Sequence, residues 1–322
     1  MNRRIVGTAV LATVLTIASF AFAATSAQAS PAPNPAGAPA EGCGVGARVV
    51  PAATVEAAEA KHPTDAASAS TRLLAKAKNR NVKWLTNVTC EATTDSTPGG
   101  AVTNGTLTTN WAGYVVPVTS PNYVQAEWYA PSIAPSPAAN SYSSSWVGLG
   151  GTTTSAGLFQ AGLESDLLSS GRRSYFWYEI LPTNPTSLKV TSITPSDGDD
   201  VGVAISYQGL STYFTICDFN KSPSCANLAI PDAHVPGPTA EAIVERPTLP
   251  GGVLPVLANF GAVTFLSAYY NKTGNTGAAY KLSPNGTLNY MADTAKTTIM
   301  AYPTTPVTGS GGFSVSWLAP GP

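Results

Sequence analysis

The chain has 322 residues, a formal net charge of −1 and only 11% charged residues, against 43% hydrophobic ones. A soluble domain ordinarily carries about a quarter charged residues, so Ser, Thr, Asn, Gly and Pro must form much of the surface, as in extracellular β-rich proteins. This balance excludes the basic footprint of a nucleic-acid binder and any polyacidic tail.

Asn2-Arg3-Arg4, the apolar run from Ile5 to Ala24 and the small-x-small site Ala27-Gln28-Ala29 have the form of an export signal. No other segment is long and apolar enough to span a bilayer. Residues 1–29 are therefore expected to be a signal peptide, and the remainder a secreted, extracellular protein off the membrane. Residues 30–40 are a Pro/Ala-rich linker. Residues 52–60 and 66–80, rich in Ala, Glu, Lys and Leu, are the helical stretches. Residues 91–108 form a second, polar linker and a natural place for a processing cut, although they contain no dibasic pair. The expected organisation is a partly helical propeptide with linkers over 30–105, then one domain over 106–322.

Charge is unevenly placed. Residues 1–100 hold nine Lys/Arg and six Asp/Glu, and residues 101–322 hold eight and twelve. A basic leader ahead of an acidic domain is the pattern of an electrostatically docked propeptide, although chance gives it too. Four cysteines are present: Cys43, Cys90, Cys217 and Cys225. Export makes disulfides plausible. Pairing within each segment, Cys43 with Cys90 and Cys217 with Cys225, is the simplest arrangement, but the sequence does not fix it.

From Asn110 the texture changes to short runs rich in Val, Tyr, Trp, Phe, Thr and Ser, separated by Gly, Pro and Asn. They include Trp111–Val118, Tyr123–Tyr129, Ser143–Leu149, Leu158–Leu163, Ser174–Ile180, Val201–Tyr207, Tyr213–Asp218, Ala240–Arg246, Gly261–Ala268 and Phe313–Trp317. Many short strands at this spacing, without helical periodicity between them, indicate an all-β sandwich or barrel.

Several chemistries are closed off. The domain has one histidine, His234, among prolines and without a G-x-S-x-G elbow, so it reads as a loop residue rather than part of a triad. Two cysteines and one histidine do not make a zinc shell. Gly148-Leu149-Gly150-Gly151 lacks the lysine of a phosphate loop. No metal or cofactor is expected.

Carboxylates, amides and indoles remain. Strand alternation puts residues i and i+2 on one face. Gln160 and Glu164 then share a face across Gly162, Glu241 and Glu245 share one with Ile243, Trp177 shares one with Glu179, and Ser144, Trp146 and Gly148 share one. Four strands thus each offer a mixed face of acid, amide and indole. Ordinary solvent faces would also carry Glu and Gln, but paired tryptophans favour a binding groove.

At these segments the sequence resembles the glutamic peptidases of the eqolisin family. The matching pieces occur in that family's order. They are Asn110-Trp111-Ala112-Gly113, Ser145-Trp146-Val147-Gly148, Leu158-Phe159-Gln160-Ala161-Gly162, Trp177-Tyr178-Glu179, Ala240-Glu241-Ala242-Ile243-Val244-Glu245, and Phe260-Gly261-Ala262-Val263-Thr264-Phe265. The resemblance spans about residues 110–320. It implies a concanavalin-like sandwich of two bent antiparallel sheets, made as a secreted zymogen. It places the catalytic glutamine on Gln160 and the catalytic glutamate on Glu245. Trp146, Glu164, Trp177, Glu179 and Glu241 fall on substrate-binding or supporting positions. Where the family carries an Asp after its Trp-Val-Gly stretch, this chain has Gly150, which puts support of the glutamate in question.

The implied activity is an acid endopeptidase acting on protein and peptide substrates as a monomer. Glu245 would serve as base and acid, and Gln160 as oxyanion donor. The propeptide would be its intramolecular inhibitor. Lys76, Lys78, Arg80 and Lys83, the densest basic run before the domain, would pair with groove carboxylates near neutral pH and release them as these protonate. A solvated helix end is the other reading of that run. A carbohydrate-active sandwich protein and an inactive, peptide-binding family member are the alternatives for the domain.

Overall fold

The computed structural model describes residues 37–60, 70–94, 107–135, 140–152, 156–183, 186–222, 224–275 and 278–321. The signal peptide and most of the two linkers lie outside these residues. Among the described residues no helix is long and apolar enough to cross a membrane.

The leader contributes β1 (Ala38–Pro39), β2 (Arg48–Val49), α1 (Ala52–Ala60), α2 (Ser70–Asn79) and β3 (Cys90–Ala92). The rest is strand apart from one 3-10 turn at Ser283–Asn285: β4 (Leu107–Thr108), β5 (Trp111–Pro117), β6 (Pro121–Tyr129), β7 (Ser144–Leu149), β8 (Leu158–Leu168), β9 (Gly171–Leu181), β10 (Leu188–Val190), β11 (Asp200–Tyr207) and β12 (Ser211–Asp218). Then come β13 (Cys225–Pro231), β14 (Thr239–Glu245), β15 (Ala262–Lys272), β16 (Tyr280–Lys281), β17 (Thr287–Ala292), β18 (Ile299–Pro303) and β19 (Phe313–Trp317).

Pairing resolves these into two almost wholly antiparallel sheets. The front sheet runs β3-β10-β9-β8-β7-β14-β5-β17. The back sheet runs β1-β2-β13-β12-β11-β6-β15-β19-β18-β17. β17 belongs to both and joins the sheets at that side. The only parallel ladder among these strands is β4 on β17. The fold is the expected all-β sandwich.

Alternation builds its interior. From the front sheet Val147, Phe159, Ala161, Leu163, Phe176, Tyr178 and Val244 enter one core cluster. Val124, Trp128, Val203, Phe214 and Leu228 meet them from the back sheet. Side chains at even spacing thus bury one face of each strand against the opposite sheet.

Both disulfides form within their segments, Cys43 with Cys90 and Cys217 with Cys225. The second joins directly opposed residues of the β12–β13 hairpin. The helices fall where composition places them, but the basic run does not pair as expected. Lys76 bonds Glu127 at 2.7 Å and Asp200 at 2.8 Å, and Arg80 reaches Asp200 at 3.2 Å. Those acids stand on β6 and β11, in the back sheet. Their strand neighbours of opposite facing, Ala126, Trp128, Val201 and Val203, point into the core, so the ion pairs lie on the back sheet's outer face. The leader helix is held there, away from the acids of the front sheet, because Leu73 and Ala77, one turn apart, bury against that outer face.

Candidate active site

Five neighbouring strands build the site by register. In one row Glu241 of β14 stands opposite Gly148 of β7, Gly148 opposite Gln160 of β8, and Gln160 opposite Glu179 of β9. Two residues along, the row is Gly113, Ile243, Trp146, Gly162, Trp177. Two further on it is Trp111, Glu245, Ser144, Glu164, Tyr175. Because side chains alternate, all three rows share the face of the front sheet turned away from the core. Every residue expected at the site is therefore on one surface.

Within it, contacts divide the groups. The Trp146 Nε1–H donates to Glu245 Oε2 at 2.7 Å, and the Asn110 side-chain amide donates to Glu245 Oε1 at 3.2 Å. Trp111 meets Trp146 edge-on, with ring centroids 4.9 Å apart. Trp177 donates to the Ser144 hydroxyl at 2.9 Å. In the other row the Gln160 Nε2–H donates to Glu179 Oε2 at 2.5 Å. Glu241 stands in the same row across Gly148, where a Cβ would lie 2.7 Å from the Trp146 ring and 3.2 Å from Glu241 Oε2, so these two side chains take up the space that the glycine leaves.

Burial governs the electrostatics. Trp146, Gln160, Glu164, Trp177, Glu179, Glu241 and Glu245 are all 0% exposed. Desolvation pushes the Glu179 carboxyl well above its ordinary value; the Gln160 hydrogen bond opposes the rise and the charge of Glu245 adds to it. Glu241 is likewise pushed well up by burial, with the Thr239 hydroxyl offsetting part. Among the described residues neither Glu241 oxygen has a hydrogen bond of sound geometry, and burying a charge without one costs more than burying the neutral acid. Further along β8, burial raises Asp166 to about 6 against the pull of Arg173, which holds it at 2.9 Å. Two acids that burial drives toward the neutral form therefore share a row with an amide, while a third acid, Glu245, takes two hydrogen-bond donors.

The residue at the expected acid position has a steric cause. Gly150 has φ +94°, a conformation that side chains disfavour, and a Cβ there would collide with the Gly157 carbonyl oxygen and lie 2.7 Å from the Gly237 nitrogen. The segments carrying Gly157 and Gly237 close over this position and leave no room for Asp. Support of Glu245 comes instead from Trp146 and Asn110.

The sequence reading leaves Asn110 and Trp111 outside the site, although both lie in a quoted family segment. Asn110 precedes its strand, where alternation gives no facing. Among the described residues no group of three His, Cys, Asp or Glu is placed to hold a metal ion. His234 sits in a loop and bonds Asp232 at 2.9 Å.

No curated protein matches the sequence. Among solved structures, the fold resembles scytalido-glutamic peptidase with a transition-state analogue inhibitor, at TM-score 0.53 and 20% identity, over 65% of this chain and 98% of that one. It also resembles SCP-B, a member of the eqolisin family in complex with the tripeptide Ala-Ile-His, at TM-score 0.51 and 19% identity, over 65% and 98% of the two chains. At such identity the likeness bears on the fold. The family is fixed by the sequence itself: residues 109–317 match the model of the peptidase A4 family, and the chain belongs to that family, the eqolisins.

Proposed function

We propose that the protein is a secreted endopeptidase that hydrolyses peptide bonds with Glu245 and Gln160 as its dyad and works best in acid. The observation that carries this reading is the unequal treatment of acids on one face. Glu245 receives an indole N–H and an amide N–H, whereas Glu179 and Glu241 are driven toward their neutral forms. Environments that separate neighbouring acids in this way assign acid and base roles.

In the proposed reaction Glu245, as carboxylate, takes a proton from a water molecule whose oxygen adds to the scissile carbonyl carbon. The carbonyl oxygen gains the negative charge. The Gln160 amide, oriented by its hydrogen bond to Glu179, donates an N–H to that oxyanion, a contribution typically worth about 3 kcal/mol. Glu245 then delivers its proton to the amine nitrogen as the carbon–nitrogen bond breaks. A carboxylate base needs no histidine and operates below neutrality. Trp146 and Trp177 supply the apolar floor for the peptide.

Two disulfides fit an oxidising, extracellular compartment. The whole face is buried in this form of the chain, which supports reading it as a latent precursor processed within the polar stretch 91–108. Inhibition through the basic run is not part of the proposal, since its ion pairs lie on the other sheet.

The test is a casein-cleavage profile from pH 2 to 7 with acid-incubated wild type, Gln160→Ala and Glu245→Gln. Activity confined to acid and absent in both variants is expected. Full activity in either variant would overturn the dyad.

A further inference from the structure

We propose that residues 37–60 and 70–94, within the stretch expected to leave as a propeptide, form a permanent wedge of the folded protein. When the chain is cut between Thr94 and Leu107, the two pieces remain together as a non-covalent two-chain molecule. This goes beyond the peptidase reading and does not depend on it.

The first support is where the leader's side chains lie. Ala40, Cys43, Ala47, Val49 and Val88 belong to the same core cluster as Phe159, Tyr178 and Phe214. Cys43 and Val88 are 0% exposed. They fill the interior between the sheets instead of lying on a finished surface, so their removal would open a cavity as well as uncover area.

The second support is the backbone. β2 pairs with β13, placing Val49 opposite Leu228 at the side of the back sheet. β3 pairs with β10 at the corresponding side of the front sheet, Cys90 to Val190 and Ala92 to Leu188. The leader therefore completes both sheets at one side of the sandwich, and the Cys43–Cys90 disulfide ties its two contributions together. Between them Leu85 N–H donates to Cys225 O at 2.8 Å, and Ser224 N–H donates to Lys83 O at 2.8 Å. Withdrawal would leave two hydrophobic strand edges unpaired, which native proteins avoid. It would also orphan the Tyr178 hydroxyl, which donates to the Cys43 carbonyl oxygen inside the core. Tyr178 lies between Trp177 and Glu179 on β9, so the wedge props the strand that carries two site residues.

The third support is α2 on the outer face of the back sheet. Leu73 fits against Gly202, where a Cβ would collide with its Cδ1. Lys76 joins Glu127 and Asp200 and lies 4.3 Å from the Phe219 ring centroid. A buried leucine seated in a glycine-sized recess beside a two-acid clamp is the packing of a subunit interface core. A leader that binds only to block a groove and then diffuses away has no need of it.

The experiment places a site for a sequence-specific viral protease between Thr94 and Leu107 of the full chain carrying Glu245→Gln, which prevents self-cutting. The folded protein is cut and run on size exclusion without reductant, undiluted and at nanomolar dilution. Co-elution of both pieces at the intact size, with a single melting transition, is the expected result. Elution of the N-terminal piece by itself overturns the proposal, whatever becomes of the remainder. In a second arm, Leu73→Asp with Lys76→Glu is introduced and the cut protein diluted again. Release of the N-terminal piece is expected here; if it stays bound with an unchanged melting temperature, the α2 contact is not part of the clamp and the proposal fails in this form.

Discussion

The indole nitrogen of Trp146 lies 2.7 Å from Oε2 of Glu245, in a row of the front sheet two residues removed from the glutamate's own. Trp146 is thus both floor of the face and hydrogen-bond donor to the proposed base. A donor to a carboxylate favours the ionised form. Trp146→Phe keeps the ring stack on Trp111 but deletes the donor. The Glu245 carboxylate then protonates at higher pH, and the acid limb of the pH–activity profile moves upward. Hydrogen bonds to charged groups are worth about 1.5–3 kcal/mol, so the limb should shift by about one to two pH units. An unmoved limb with merely reduced turnover would assign Trp146 to packing alone.

Stability should fall as pH rises. Burial raises Glu179 and Glu241 from 4.5, Asp166 from 3.8 to about 6, and Asp218 from 3.8 to about 7. Between the unfolded and folded values the native state binds the extra proton, so unfolding free energy declines with increasing pH. The stabilisation is complete below about 4. It is lost through about 6 for Asp166 and about 7 for Asp218, and likewise as pH rises for the two glutamates, which burial holds well above 4.5. Each group contributes a slope of up to about 1.4 kcal/mol per pH unit. The melting temperature at pH 4 should therefore exceed that at pH 7. Glu179→Gln with Glu241→Gln should flatten the curve, and equal slopes in wild type and variant would contradict the assignment.

Much of this was readable in advance, and the gaps have physical reasons. The faces of β7, β8, β9 and β14 follow from alternation, because each strand places Gly, Trp or acid at even spacing against Val, Phe or Ala. β13, β17 and β18 were not anticipated. β13 begins and ends on Cys225 and Pro231, and the other two mix polar and apolar residues without clear alternation. Which acid receives two hydrogen-bond donors was not readable at all. It depends on Asn110 and Trp146 converging from different strands, a matter of register. The leader's packing was missed for the same reason: Leu73 and Ala77 advertise a buried helical stripe, but nothing local tells that Gly202 receives it. The basic residues beside the stripe suggested a partner by charge, and the wrong sheet.

Gly150→Asp, which would restore the family's usual acid, should damage the protein. Forcing a non-glycine side chain to φ +94° costs about 1–3 kcal/mol, and the collision with the Gly157 carbonyl adds to it. The expected outcome is a clear drop in melting temperature and no gain in activity. A variant that melts like wild type and cleaves faster would mean the segments over Gly150 open readily, and the steric explanation would be wrong.

The two disulfides should contribute unequally. Cys43 and Cys90 close a loop with a sequence separation of 47, Cys217 and Cys225 one of 8. Chain-entropy scaling gives about 4 kcal/mol for the longer loop and about 2.5 kcal/mol for the shorter. Structure widens the difference. The hairpin pair lies in a ladder that runs from Ser211 to Cys217 and holds β12 to β13 without it. The leader pair joins Cys43, in the turn between β1 and β2, to Cys90 on β3, where the backbone link is far shorter than that ladder, with Cys90 N–H donating to the Glu41 carbonyl oxygen at 2.9 Å. Cys43→Ala with Cys90→Ala should therefore lower the melting temperature more than Cys217→Ala with Cys225→Ala, measured by scanning calorimetry at one pH without reductant. The reverse order would show that the hairpin, rather than the leader, is the segment most dependent on its cross-link.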